Sequence, residues 1–85
     1  MIEPAQIRAA RALLGWRQED LSKASGVGAA TVRRVESSNS GATSYVSTLA
    51  RIQAAFETAG VVFIDDDGIA GFGVRLAKTK KKRKR

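Results

Sequence analysis

The chain has 85 residues, with 15 Lys and Arg against 8 Asp and Glu for a net charge of +7, and it contains neither cysteine nor histidine. That length suits one domain with a small core, and the missing residue types exclude a disulfide scaffold, a thiolate nucleophile and the commonest metal ligands. No apolar run approaches the roughly 20 residues that span a bilayer, and the N-terminus lacks the basic-then-apolar layout of a signal peptide, so a cytoplasmic protein without membrane contact, metal or cofactor is expected.

The charge is unevenly placed. Seven of the 15 cations fall in residues 78 to 85, Lys78-Thr79-Lys80-Lys81-Lys82-Arg83-Lys84-Arg85, which leaves eight cations against eight acids in the rest of the chain. A net charge held in one terminal run says little about the globular part, whose function must be sought in where its few arginines stand.

In chain order, Pro4 suits the first position of a helix in which Ile7, Ala10 and Leu14 recur at helical spacing before Gly15 ends it. Gln18 to Ser25 forms a second short helix, with Glu19 and Asp20 near its positive end, Leu21 and Ala24 turned inward and Gly26 as breaker. A third helix from Ala29 to Ser37 puts Val32 and Val35 on one face and Arg33 and Arg34 beside them. The small polar stretch 37 to 44 reads as a loop, and Val46, Leu49, Ile52 and Phe56 define a fourth helix stopped by Gly60. The texture then changes to the β-branched run Val61-Val62-Phe63-Ile64, a turn at Asp65-Asp66-Asp67-Gly68, and a returning strand over Phe72 to Ala77.

Residues 18 to 36 carry the functional signal. Leu21, Val27, Val32 and Val35 supply a core between two crossing helices, Ser22 is small where they approach, and Gly26 permits positive φ in a very short turn, so the third helix is held out as a probe. With the helix-one pattern Ile7-Arg8-x-x-Arg11-x-x-Leu14-Gly15 and the helix-four pattern Thr48-Leu49-x-x-Ile52, this stretch resembles the Xre and phage Cro-repressor family, marked by a leading Gln-Glu-Glu-Leu-Ala, a Gly-Val turn and a closing Ile-Glu. The ending Ala59-Gly60-Val61-Val62-Phe63-Ile64 with Gly73-Val74-Arg75-Leu76 is similar to a terminal element of short bacterial members.

The resemblance implies a mainly α fold, a repressor-like helix-turn-helix domain of four to five helices over residues 1–60, which the residue pattern extends by a C-terminal β-hairpin over 61–77 and a disordered basic tail over 78–85. It also implies a transcriptional regulator that binds a two-fold symmetric operator in double-stranded DNA as a dimer, in a bacterial or phage setting and in association with the nucleoid. Matching family members commonly pair the equivalents of Arg11 and Glu36, and Gln18 stands where the family meets the sugar-phosphate backbone. Departures from the pattern carry expectations of their own. Arg17 replaces the usual Ser or Thr cap, which weakens the start of helix two by about 1 kcal/mol, and Gly28 replaces the usual Ser before the probe helix.

Arg34 is the expected reader of a base edge, with Arg33 second, because arginine bonds bidentately to guanine in the major groove. Ala29 and Ala30 stand at reading positions and suit thymine methyl groups, while Arg17, Gln18, Thr31, Ser37, Ser38 and Asn39 are expected on the phosphate backbone. Val61, Val62, Phe63 and Ile64 are more apolar than a lone solvent-facing hairpin justifies, and are read as a dimerisation element. Two other readings stay open: an antitoxin that represses its own operon and holds a toxin through the hairpin, and a protein-interaction adaptor on the same fold. The Asp65–Asp67 run lacks the alternating ligands of a calcium loop, Gly71-x-Gly73 lacks the context of a dinucleotide site, and no nucleophile, base and acid set is available, so an enzyme is not expected.

The tail generates a prediction independent of the fold. Each phosphate neutralised contributes roughly 0.9 to the slope of log affinity against log salt, so deleting residues 78 to 85 should flatten that slope by several units in a salt titration of DNA binding while sequence preference survives. Equal slopes for the full and shortened chains would reduce the tail to a solvated end.

Overall fold

The computed structural model describes residues 1–38 and 46–78. The expected tail from Thr79 onward, together with Asn39 and Tyr45, lies outside the described residues. Helix α1 spans Pro4–Leu14, α2 Gln18–Ser25, α3 Ala29–Ser37 and α4 Val46–Thr58, followed by strands β1, Val61–Ile64, and β2, Gly73–Leu76. Among the described residues no helix is long and apolar enough to cross a membrane.

The helix ends follow from local chemistry. At the start of α1 the Gln6 Oε1 accepts the Glu3 N–H at 2.8 Å, one half of a capping box. At its end Gly15 turns left-handed with φ 69°, and the Trp16 N–H returns to the Arg11 carbonyl at 2.9 Å. Helix α2 lacks a side-chain acceptor at Arg17, as the sequence implied, but Asp20 Oδ2 accepts the Arg17 N–H at 2.8 Å and offsets part of that loss. It ends at Gly26, φ 75°, whose N–H bonds the Ser22 carbonyl at 2.9 Å. The Ser25 hydroxyl donates to the Leu21 carbonyl at 2.7 Å and accepts from Val27 N–H at 3.1 Å, which shapes the turn into α3.

The apolar positions converge on one core. Ile7 and Ala10 from α1, Leu21 from α2, Val32 and Val35 from α3, and Leu49, Ile52 and Phe56 from α4 are all buried. Phe56 is its aromatic centre, stacked on Trp16 at 5.6 Å between ring centroids and met edge-on by Phe63 at 6.0 Å, a geometry that adds roughly 0.5–1.5 kcal/mol per pair beyond area burial. Ala24 corrects the expectation of an inward face: it is exposed, because α2 buries Leu21 alone and its last turn opens onto a shallow groove with Trp16 and α4.

The hairpin is antiparallel, with Val61 opposite Leu76 and Phe63 opposite Val74. Val61 is buried in the core and Phe63 leans on Phe56, so these two side chains face the helices, while their neighbour Val62 is exposed. The returning strand starts one residue later than the sequence suggested, at Gly73, and Phe72 is left exposed. The aspartate run forms the turn: Asp66 Oδ1 accepts the Gly68 N–H at 2.8 Å, and Asp67 Oδ1 accepts those of Ile69 and Ala70 at 2.9 and 2.8 Å. The Ala70 bond, followed by that from Ile69, holds the Asp67 carboxyl below its ordinary value.

Gly26 is the most constrained backbone position. Its carbonyl receives the Arg51 Nη2 at 2.8 Å from α4, and a Cβ added there would lie 2.9 Å from that nitrogen. Gly26→Ala should cost about 1–2 kcal/mol in a urea unfolding experiment, chiefly from the left-handed backbone. The loss should persist in an Arg51→Ala background; its disappearance there would make the contact, not φ, the cause.

Candidate nucleic-acid interface

Helix α3 is divided by its own periodicity. At about 100° per residue, Val32, Val35 and Glu36 fall on one arc and are buried, whereas Ala30, Arg33, Arg34 and Ser37 fall on the opposite arc and are exposed. Ala29 and Thr31 lie half-buried on the two flanks. Among the described residues neither Arg33 nor Arg34 takes part in an ion pair, so both guanidinium groups keep all their donors for an outside acceptor.

The buried arc is fixed by α1. Glu36, only 4 % exposed, receives Arg11 Nε on one carboxylate oxygen at 2.7 Å and Arg11 Nη2 on the other at 2.9 Å. Arg11 also donates Nη1 to the Trp16 carbonyl at 3.0 Å, and its hydrogen bond to Glu36 raises its pKa further above an already high value. Arg8 donates to the main-chain carbonyl of the same Glu36. Two arginines one turn apart on α1 thus hold the last turn of α3 by its side chain and its backbone, a bidentate pairing that sets angle as well as distance. The ion pair implied by the resemblance is present.

The expected backbone-contacting residues are placed less simply. The Arg17 side chain is 80 % exposed, with Nε 3.9 Å from Asp20. Gln18 turns its amide inward to Glu36 Oε1 at 3.2 Å, away from a role on the backbone of DNA. The hydroxyls of Ser37 and Ser38 donate to the carbonyls of Arg34 and Val35 at 3.1 and 2.8 Å, closing α3. Asn39 lies outside the described residues. The sequence assigns no contact to Arg51 or Gln6, and Arg8 enters it only as part of the helix-one pattern. Gln6 sits three residues after Glu3, a spacing that signals a capping box, but nothing local marks the partners of the two arginines.

Among the described residues, no group of acidic side chains is arranged to hold a metal ion. What the geometry offers is an exposed helix face with two arginines that are unpaired among the described residues, presented by a short turn and braced from behind. A helix-turn-helix family model matches residues 7–57, more than half of the chain. The chain belongs to the Xre and Cro-like helix-turn-helix family. No curated protein matches it. As a helix-turn-helix protein it is a DNA-binding transcriptional regulator. The matched span takes in the helical domain and ends before β1, so the hairpin lies beyond what the family model describes.

The ion pair should show an asymmetry. Arg11→Met leaves the carboxylate of Glu36 buried with too few donors and should cost about 3–5 kcal/mol. Glu36→Gln leaves Arg11, 22 % exposed, in contact with water and the Trp16 carbonyl, and should cost only about 2 kcal/mol, the loss of a charge-assisted hydrogen bond. Urea unfolding of both variants measures this, and losses under about 1 kcal/mol in both would match a solvent-exposed pair instead.

Proposed function

We propose that the protein binds a two-fold symmetric operator as a homodimer, with α3 in the major groove and Arg34 reading a guanine. The observation that carries this is the exposed outer arc of α3: two arginines, unpaired among the described residues, on a helix whose opposite arc is locked in place. Arg34 is first choice because it stands with Ala30 and Ser37 along the middle of that arc, and Arg33 flanks it. Ala29 and Ala30 provide apolar contact for thymine methyl groups, and Arg17, Thr31 and the N-terminal amides around Gln18 follow the phosphates. Ser37, Ser38 and Asn39 complete the backbone contact after α3, the two serines by exchanging their hydroxyl bond to an α3 carbonyl for one to a phosphate.

The hairpin supplies the dimer contact in this reading. Val61 and most of Phe63 are occupied within the protomer, which leaves Val62, the exposed part of Ile64 and Leu76, and the unpaired outer edges of both strands for a second copy. A two-stranded sheet is marginal alone, and pairing two hairpins about a two-fold axis removes two of the four free edges. The recognition helices then address half-sites about 10 base pairs apart, or a multiple of that.

Selection of bound duplexes from a random pool yields the operator and its symmetry. Against that operator Arg34→Ala should weaken binding by about 1–3 kcal/mol and relax preference at one base pair in each half-site, with a smaller effect on random DNA. An equal drop in specific and random binding would make Arg34 a phosphate contact.

A further inference from the structure

We infer that Gln6 is a positioning residue that fixes the hairpin against the recognition helix and thereby sets the half-site spacing the dimer accepts; this rests on the dimer reading above. Gln6 is polar yet only 3 % exposed, on the first turn of α1. Its Oε1 accepts the Glu3 N–H at 2.8 Å, and its Nε2 donates to the Ile64 carbonyl at 3.2 Å and to the Gly73 carbonyl at 2.9 Å. Ile64 and Gly73 are register partners, the last pair before the turn. One amide therefore grips both strands of the hairpin at the same rung, from an element 58 and 67 residues away in sequence.

Apolar contacts resist separation of two elements but tolerate sliding and tilt, whereas an amide bonded to two fixed carbonyls has one good geometry. The same short helix holds α3 through Arg8 and Arg11. Gln6 and Arg11 are five residues apart, so roughly 7.5 Å of helix separates the grip on the hairpin from the grip on α3. Helix α1 is in effect a rigid crossbar between the dimer contact and the DNA contact. Neighbouring base pairs differ by about 3.4 Å along the duplex, and a tilt that moves each recognition helix by half of that displaces the pair by a whole step.

A buried glutamine that served stability alone would change affinity for every duplex alike, so spacing is the readout that separates the two roles. Two copies of the selected half-site are placed at the native separation and at separations one and two base pairs shorter and longer, and binding of the full chain is followed by fluorescence anisotropy. The wild type should lose about tenfold or more at each wrong spacing, because simultaneous engagement is then geometrically blocked. Gln6→Met, similar in volume but unable to donate, should compress those differences to about threefold, while affinity for a single half-site and the dimer seen in sedimentation stay the same. Gln6→Asn, whose amide is one methylene too short to reach the strands, should behave likewise. An undiminished spacing preference in either folded variant overturns the role of Gln6 alone, as does a parallel loss at the single half-site. Failure of both variants to fold also overturns it, since the amide would then support the domain and not set an angle. A wild-type protein that is monomeric, or indifferent to spacing, overturns the dimer reading itself.

Discussion

A carboxylate with 4 % of its surface exposed is costly to bury without partners, and the way Glu36 obtains them organises the molecule. Arg11 bonds both of its oxygens and Gln18 adds a third donor, so one acidic group on α3 gathers α1 and the start of α2 around itself. Desolvation makes such an ion pair a weak source of net stability compared with apolar packing. Its value here is geometric. Leu21, Val32 and Val35 would bury nearly as well with α3 rotated or slid by a fraction of a turn, but a bidentate guanidinium on a buried carboxylate tolerates neither, and the outward direction of Arg33 and Arg34 follows from that one alignment.

The recognition helix is held at its other end by different means. Arg51 on α4 donates to the carbonyl of Gly26, at the turn that leads into α3, while Ser25 ties the same turn to α2 through two hydrogen bonds of its hydroxyl. Helix α3 is thus fixed by α1 at its C-terminal end and by α4 just ahead of its N-terminal end. Since α4 also packs on β1 through Phe56 and Phe63, and α1 grips both strands through Gln6, the two helices that hold the ends of α3 also restrain the hairpin. The helical domain and the hairpin are one mechanical unit despite the short sheet.

Much of this was legible in the sequence because it is local. Apolar spacing located α1 to α4 with their ends at Gly15, Gly26 and Gly60, and the change from Phe56 to Val61–Ile64 marked the hairpin. The Arg11 to Glu36 pair was accessible only through the family resemblance, since nothing in a spacing of 25 residues declares a contact. The misses have physical causes. Ala24 was turned inward by a periodicity argument that needs more than the two turns α2 provides, and Gln6 was invisible because its meaning lies in two carbonyls that any sequence could supply. The inward turn of the Gln18 amide belongs to the same class: a residue type that suits phosphate contact suits a buried carboxylate equally well, and only the folded geometry distinguishes them.

The same distinction explains how a body with balanced charge displays a cationic helix face. Arg8 and Arg51 each find a main-chain carbonyl near the C-terminal end of a neighbouring helix, where the last carbonyls lack partners and the dipole favours a cation. Arg11 finds a carboxylate and a carbonyl. Three of the body's eight cations are therefore internal fasteners, placed where helix ends meet helix sides. Arg33 and Arg34 lie on the exposed arc of α3 and, among the described residues, take part in no ion pair. One residue type thus serves both as internal fastener and as exposed cation, and which role each arginine takes is decided by whether an orphan acceptor of the protein lies within its reach.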